Sequence, residues 1–326
     1  GAHTNLGTAL YKKGERNEAI ACHRKAVEFD PEDALVLLNL ANALAANGEL
    51  DESIASYRKA VELDPQSAKA RYCLGHNLQR QKNLDEAIAS FRETIELDPQ
   101  YGNVHLRLGV LLRDQGMLDE AISCFRRNIE VNPESAQGHH SLGGALASQG
   151  NIEEAIVYYK RAAELSPDDA NRHTNLAWTL AAAADAKMRR PAEAVAFAKR
   201  ATQIEPDRAN HWSNLGVASY RNGDWQNAVD ALEKAHSLAK SGDLYHRFFL
   251  AMAYWQLHEV EKSRLCFQEA LAYRHEKKRT SKELTRFRDE AQELLGLAAK
   301  DPESLLVEHY GQVIKRDSKN WQAYRK

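Results

Sequence analysis

The sequence is poor in the residues that many chains of its length use as fixed points. Among 326 residues there are four cysteines, eight prolines, seventeen glycines and three methionines. Cys22, Cys73, Cys124 and Cys266 stand far apart and form no CxxC pair. That spacing excludes a disulfide framework and a cysteine zinc site, and free thiols fit a reducing compartment. So little proline and glycine excludes collagen-like and linker-like chains. Neither sign of charge prevails: the net charge is -2, so no global field draws the chain to nucleic acid or anionic lipid. The longest apolar stretch, Ala34 to Ala46, is broken by Asn39 and Asn42 and is too short to span a bilayer. The opening residues do not read as a secretory signal. The expectation from these absences is a cytoplasmic protein that contacts neither nucleic acid nor membrane.

Catalytic signatures are missing too. There is no GxxxxGK[ST] phosphate loop, no HExxH, no GxSxG and no kinase set. His139 and His140 are adjacent and so do not share a helix face, and the thirteen histidines are scattered. The chain is therefore expected not to be an enzyme and to hold no metal or cofactor.

What the sequence does have is a repeat. Pro31, Pro65, Pro99, Pro133 and Pro167 follow one another at steps of 34 residues, and Pro206 comes after a step of 39. Aligned on them, other positions fall into register. Twelve residues before each proline come Ala19, Ser53, Ala87, Ala121, Ala155 and Ala194. Further back lie Gly7, Ala41, Gly75, Gly109, Gly143 and Ala177, each preceded by a leucine. Two more copies keep the pattern without the proline, one around Trp212, Leu215, Gly216 and Ala228, the other around Leu250, Ala251, Tyr254 and Phe267. Apolar residues recur at i, i+3, i+4 and i+7 in both halves of each copy, so each half is an amphipathic helix. Small residues at two fixed places let the paired helices approach closely. Leucines and the aromatic positions Tyr57, Phe91, Phe125 and Tyr159 fill the space between hairpins. Gly48, Gly116, Gly150 and Gly223 end first helices where a left-handed residue is wanted. The proline ends each second helix. No such hairpin buries its apolar faces alone, and stacking makes one continuous core.

This pattern resembles the tetratricopeptide repeat (TPR) family over residues 1 to about 275. The resemblance implies an all-α fold, a right-handed superhelical solenoid of antiparallel helix pairs. The repeats read 1–33, 34–67, 68–101, 102–135, 136–169, 170–208, 209–242 and 244–276. Repeat six carries its extra residues between its helices, around Ala183 to Arg190, with Pro191 at a helix start. Residues 281–298 form an amphipathic helix with Leu284, Phe287, Ala291, Leu294 and Leu295 on one stripe, expected to cap the last hairpin's apolar edge. Residues 301–326 resemble a partial further repeat or tail. Gly1 falls inside a repeat, so the chain is expected to be a segment of a longer protein.

The resemblance also implies a function: a protein-protein interaction scaffold that binds a polypeptide in a concave groove lined by the first helices. In TPR numbering the groove positions of the first two repeats hold Asn5, Tyr11, Asn39 and Asn42. The third and fourth hold Lys69, Tyr72, His76, Arg107 and Arg113, and the later ones Asn175, Trp178, Asn214, Tyr220, Phe248, Met252 and Trp255. Asn5, Asn39, Asn175 and Asn214 share one repeat position. A similar asparagine ladder lines the TPR region of O-linked N-acetylglucosamine transferases, where it grips substrate backbone. Here Cys73, Arg107 and Ser141 interrupt it. The dicarboxylate clamp of other family members fails, since its places hold Thr4, Thr8, Asn39, Lys69 and Cys73. The aromatic face of repeat eight is the sharpest local feature and is expected to anchor a partner, unless the C-terminal segment folds onto it. The block from Asn175 to "RFRDEAQELLGL" resembles the end of TPR arrays in planctomycete-type bacterial proteins. The alternative function is therefore the docking arm of a larger enzyme, such as a bacterial serine/threonine kinase or a related glycosyltransferase. The partner is expected to be a protein or peptide, and the chain to be monomeric.

Overall fold

The computed structural model describes residues 1–239, 244–276 and 281–297, and among these every regular element is a helix. The chain divides into two compact units, one spanning Gly1–Gln149 and the other beginning at Gly150. In the first unit α1 (Ala2–Lys13) pairs with α2 (Arg16–Phe29), and α3 (Ala34–Asn47) with α4 (Leu50–Leu63). Next, α5 (Ala68–Arg80) pairs with α6 (Leu84–Leu97), and α7 (Val104–Asp114) with α8 (Leu118–Val131), before α9 (Ala136–Gln149). The second unit opens with α10 (Ile152–Leu165). It continues through the pairs α11 (Ala170–Ala182) with α12 (Pro191–Ile204) and α13 (Ala209–Arg221) with α14 (Trp225–Leu238). Then come α15 (Leu244–Gln256) with α16 (Val260–Glu276), and last α17 (Lys282–Leu294). The expected partial repeat over 301–326 lies outside the described residues.

Local chemistry sets the boundaries. The Asp33 carboxylate accepts from Leu35 N and Val36 N at 2.8 and 3.2 Å, capping α3, and Asp169 caps α11 in the same way. First helices end on left-handed residues: Gly14, Gly48, Gly116 and Gly223 have φ between 79° and 91°. Lys82, φ 66°, occupies the same place after α5. The insertion in repeat six falls where expected. A 3-10 turn, Ala186–Met188, sits between α11 and α12, and Pro191 opens α12.

Close approach within a pair is visible at Gly109. A methyl group added there would stand 2.6 Å from the Phe125 ring. Gly75 meets Phe91 in the same way, so the small residue on the first helix receives the aromatic sixteen residues on. Where alanine replaces glycine, as at Ala41, Tyr57 packs against it.

Between repeats, two recurring bonds hold the stack. The carbonyl of five of the six turn prolines accepts from the side chain six residues later. His105 takes Pro99 O at 2.8 Å, His139 takes Pro133 O at 2.9 Å and His173 takes Pro167 O at 2.9 Å. Trp212 does the same for Pro206 O at 2.7 Å, and Arg71 for Pro65 O at 3.2 Å. On the second helices of the first unit, ion pairs recur at the repeat interval. They are Arg24–Glu52 at 2.8 Å, Arg58–Glu86 at 2.6 Å and Arg92–Glu120 at 2.7 Å. Within each unit, consecutive first helices run closer together than consecutive second helices. The first helices therefore line the shorter, inner side, and the ion-pair ladder lies on the outer one.

Candidate functional site

The inner side of the first unit is built from helices that carry almost no acid. α3 and α9 have no Asp, Glu, Lys or Arg at all. α1, α5 and α7 carry Lys12, Lys13, Lys69, Arg71, Arg80, Arg107 and Arg113 against the single Asp114. Some of these are neutralised locally: Lys13 by Glu15 at 2.8 Å, Arg71 by Glu93, and Arg113 by Asp114 at 2.8 Å. Among the described residues no carboxylate pairs with Lys12, Lys69, Arg80 or Arg107. Glu52, Glu86 and Glu120 of the neighbouring second helices are engaged in the outer ladder.

Several sequence-predicted residues meet here. Arg107 Nε donates to the Tyr72 hydroxyl at 2.8 Å, with its guanidinium 5.9 Å from the Tyr72 ring centre. The Tyr72 ring lies 5.3 Å from that of Tyr101. Arg80 Nη1 donates to Ala45 O at 3.0 Å, which tethers α5 to α3. His76 is half-buried, and its pKa is lowered by burial first and by Arg107 and Arg80 second. Asn42 is claimed by the fold: the Tyr57 hydroxyl donates to its Oδ1 at 2.7 Å. Burial also pushes the Cys73 thiol up, so it is a poor nucleophile. Asn5, Tyr11 and Lys69 are exposed, while Asn39 and Arg113 are half-buried. The face thus carries a rank of cations, of which Arg107 is braced by Tyr72.

In the second unit the inner side is occupied. Helix α17, read from the sequence as a cap on the last hairpin's apolar edge, lies against the first helix of that hairpin. It packs on α15, and its side chains reach back to α13 and α11. Phe287 is fully buried, edge-on to Phe249 at 4.9 Å and to Trp178 at 5.8 Å. Phe249 in turn meets Tyr220 at 5.6 Å. Glu290 is gripped by both terminal nitrogens of Arg221, whose side chain is only 8% exposed. Arg286 donates to Ala182 O at 2.6 Å, the last carbonyl of α11. Arg189, from the inserted turn, sits in the same neighbourhood. Its pKa is lowered by burial and by Arg221 and Arg286, against the opposing pull of Glu290.

Two sequence-predicted site residues are therefore corrected. Phe248 and Met252 are both 0% exposed, and Phe248 packs on Phe267 of α16. They belong to the core between α15 and α16, because α15 is apolar on all sides and periodicity cannot choose its faces. The inner-face aromatic is Phe249, which the sequence reading missed. Its signal was its place in the repeat, the same place that holds Asn175 and Asn214. Trp178 and Tyr220 do line the inner side, half-buried. Of the others, Asn175 is exposed, and Asn214 and Trp255 are half-buried.

A fold of stacked helix pairs with a clear inner side defines a helical repeat scaffold. Models described as TPR repeat or tetratricopeptide repeat match residues 7–48, 41–82, 68–101, 106–170 and 179–243. The chain belongs to the tetratricopeptide repeat family, a family of protein-interaction scaffolds. Among solved structures it is similar to YrrB, described as a TPR protein with an unusual peptide-binding site. The two share 28% identity over 58% of this chain and 95% of YrrB, with a TM-score of 0.51. A tetratricopeptide repeat protein from Parabacteroides merdae ATCC 43184 aligns over 77% of this chain and 97% of its own, at 16% identity and TM-score 0.54, a likeness of fold alone. A crystal structure of MamA matches 51% of this chain and 97% of its own at 29% identity and TM-score 0.49. The comparison with curated proteins gave no match. Among the described residues no helix is long and apolar enough to cross a membrane.

Proposed function

We propose that this chain is a scaffold that holds an acidic, extended stretch of a partner polypeptide along the inner side of its first unit, and performs no chemistry itself. The observation that carries this reading is the charge segregation. Lys12, Lys69, Arg80 and Arg107 lie on first helices with no carboxylate partner among the described residues, while Glu52, Glu86 and Glu120 are committed to Arg24, Arg58 and Arg92 on the outer side. Cations on helices almost without acid attract an anionic chain, and the half-buried Tyr72 offers a flat surface for its apolar parts. The peptide-binding site named for YrrB, a relative of similar fold, supports the same use of the scaffold.

The test is a titration of a fluorescent peptide rich in Asp and Glu against the full chain. Binding is expected to weaken as salt rises from about 0.05 M to about 0.5 M, because exposed charges are screened. The double variant Lys69→Glu, Arg107→Glu is expected to weaken it by roughly tenfold or more, which corresponds to about 1.4 kcal/mol. Equal binding by the variant, or no binding by the native chain, would overturn the reading.

A further inference from the structure

The inner side of the second unit has a different occupant, and that occupant shows what the surface is shaped to take. Helix α17 contributes an aromatic ring, Phe287, and a carboxylate one turn later, Glu290. The receiving surface comes from three successive first helices. Trp178 of α11 and Phe249 of α15 frame the ring at 5.8 and 4.9 Å, and Arg221 of α13 takes the carboxylate. Those three residues hold the equivalent positions at which the other repeats face their inner side. Arg189, in the inserted turn of repeat six, donates through Nε to Ala183 O at 2.9 Å, next to the Ala182 carbonyl that Arg286 takes. Ser281 caps α17 by accepting from Leu284 N at 3.0 Å, so the segment carries its own helix start.

We infer that the inner face of α11, α13 and α15 is a helix-binding site, filled in this structure by the chain's own α17, and that the partner it fits is a foreign amphipathic helix carrying an aromatic residue and, three residues later, a carboxylate. A lone hairpin cap would need only to cover apolar area on α15 and α16. Helix α17 instead spans three first helices, and it places a charge on a cation whose side chain is 8% exposed. A partner helix with the same two groups makes the same contacts, and it competes with α17 at an effective concentration set by the covalent link. This inference rests on the second unit alone and stands or falls apart from the acidic-chain reading of the first.

The test uses a labelled peptide spanning residues 281–297 as the model helix. Added to the native full chain it is expected to bind weakly, because α17 already holds the site. Added to the full chain bearing Phe287→Ala and Glu290→Gln, it is expected to bind at least tenfold more tightly. Introducing Arg221→Glu into that chain is expected to abolish binding, and a peptide carrying Glu290→Arg to restore it. Equal binding to the native and double-variant chains would overturn the inference, as would no binding to a double variant with native helix content by circular dichroism. If the double variant does not fold, hydrogen exchange on the native chain decides. Excess peptide is expected to strip protection from the amides of α17, and unchanged protection would overturn the inference. A native chain that dimerises by exchanging α17, seen as a concentration-dependent mass, would overturn the assignment to a foreign helix.

Discussion

The two units are made of the same hairpin and treat their inner sides in opposite ways. In the first, Lys12, Lys69, Arg80 and Arg107 line helices with a single acid and lack carboxylate partners among the described residues. In the second, each first-helix arginine is answered: Arg172 by Asp169 at 3.0 Å, Arg247 by Glu269 at 3.1 Å and Arg221 by Glu290. The last of these carboxylates arrives on α17, which also brings Phe287 to the ring cluster. The difference teaches that the hairpin fixes the existence of an inner surface but not its state. On the proposed readings, the first surface takes an anionic chain directly, whereas the second takes a partner only by displacing α17.

Four experiments break or sharpen that contrast, from the largest expected effect to the smallest. Phe287→Ala should cost the second unit about 3–5 kcal/mol of local stability by emptying the space between Trp178 and Phe249. Hydrogen exchange is the measurement, with the loss confined to α17 and the inner ends of α13 and α15 and the first unit untouched. Gly109→Ala should act on the other unit, by about 1–3 kcal/mol, since its methyl would lie 2.6 Å from the Phe125 ring. A shifted denaturation midpoint with unchanged α17 protection is the expected result.

Acid should weaken both units, through different histidines. Burial lowers the pKa of His23, His76 and His105 in the first unit and of His211 in the second, and it takes His246 down to about 4. A depressed folded pKa means that the unfolded chain takes up protons first as pH falls below the ordinary imidazole value. Stability is therefore full above about pH 6.5 and declines towards the folded pKa. His246 faces Arg247 and His236, which add to its depression. By pH 5 its loss amounts to on the order of 2 kcal/mol, checked by denaturation midpoints across pH with and without His246→Gln. Smallest is the outer ladder. Arg58→Ala breaks the bond to Glu86, both about half exposed, and should cost under about 1 kcal/mol, vanishing in high salt. A double-mutant cycle with Glu86→Ala reads it.

Much of this architecture could be read from the sequence because it repeats. Six prolines in phase, the leucine before each small residue and the glycine after most first helices placed the helices, the turns and the insertion before Pro191. The inner-side residues of the first unit were legible for the same reason: Tyr72, His76 and Arg107 are each fixed by their place in the repeat. What escaped was contact between parts that do not repeat. The stripe of Leu284, Phe287 and Ala291 says that α17 needs an apolar cover, but not which one, and its partners Trp178 and Arg221 lie far away in sequence. Phe248 and Phe249 are neighbours in a helix apolar all round, so composition could not choose between core and surface. His105, His139 and His173 stand 34 residues apart, each six after a turn proline, so their recurrence was legible, but not their role, because the group they bond is a proline carbonyl.

The rungs joining Arg24 to Glu52, Arg58 to Glu86 and Arg92 to Glu120 are interchangeable parts. Excising one whole period, for example residues 58–91, would bring Arg92 into the place that Arg58 left and carry its own Glu120 with it, so every remaining rung would still close. The gene for such an array can therefore lengthen or shorten by unequal crossing-over in whole periods with every remaining rung still closed. The reach of the scaffold is in that sense a quantity evolution can adjust in steps while leaving its ends alone.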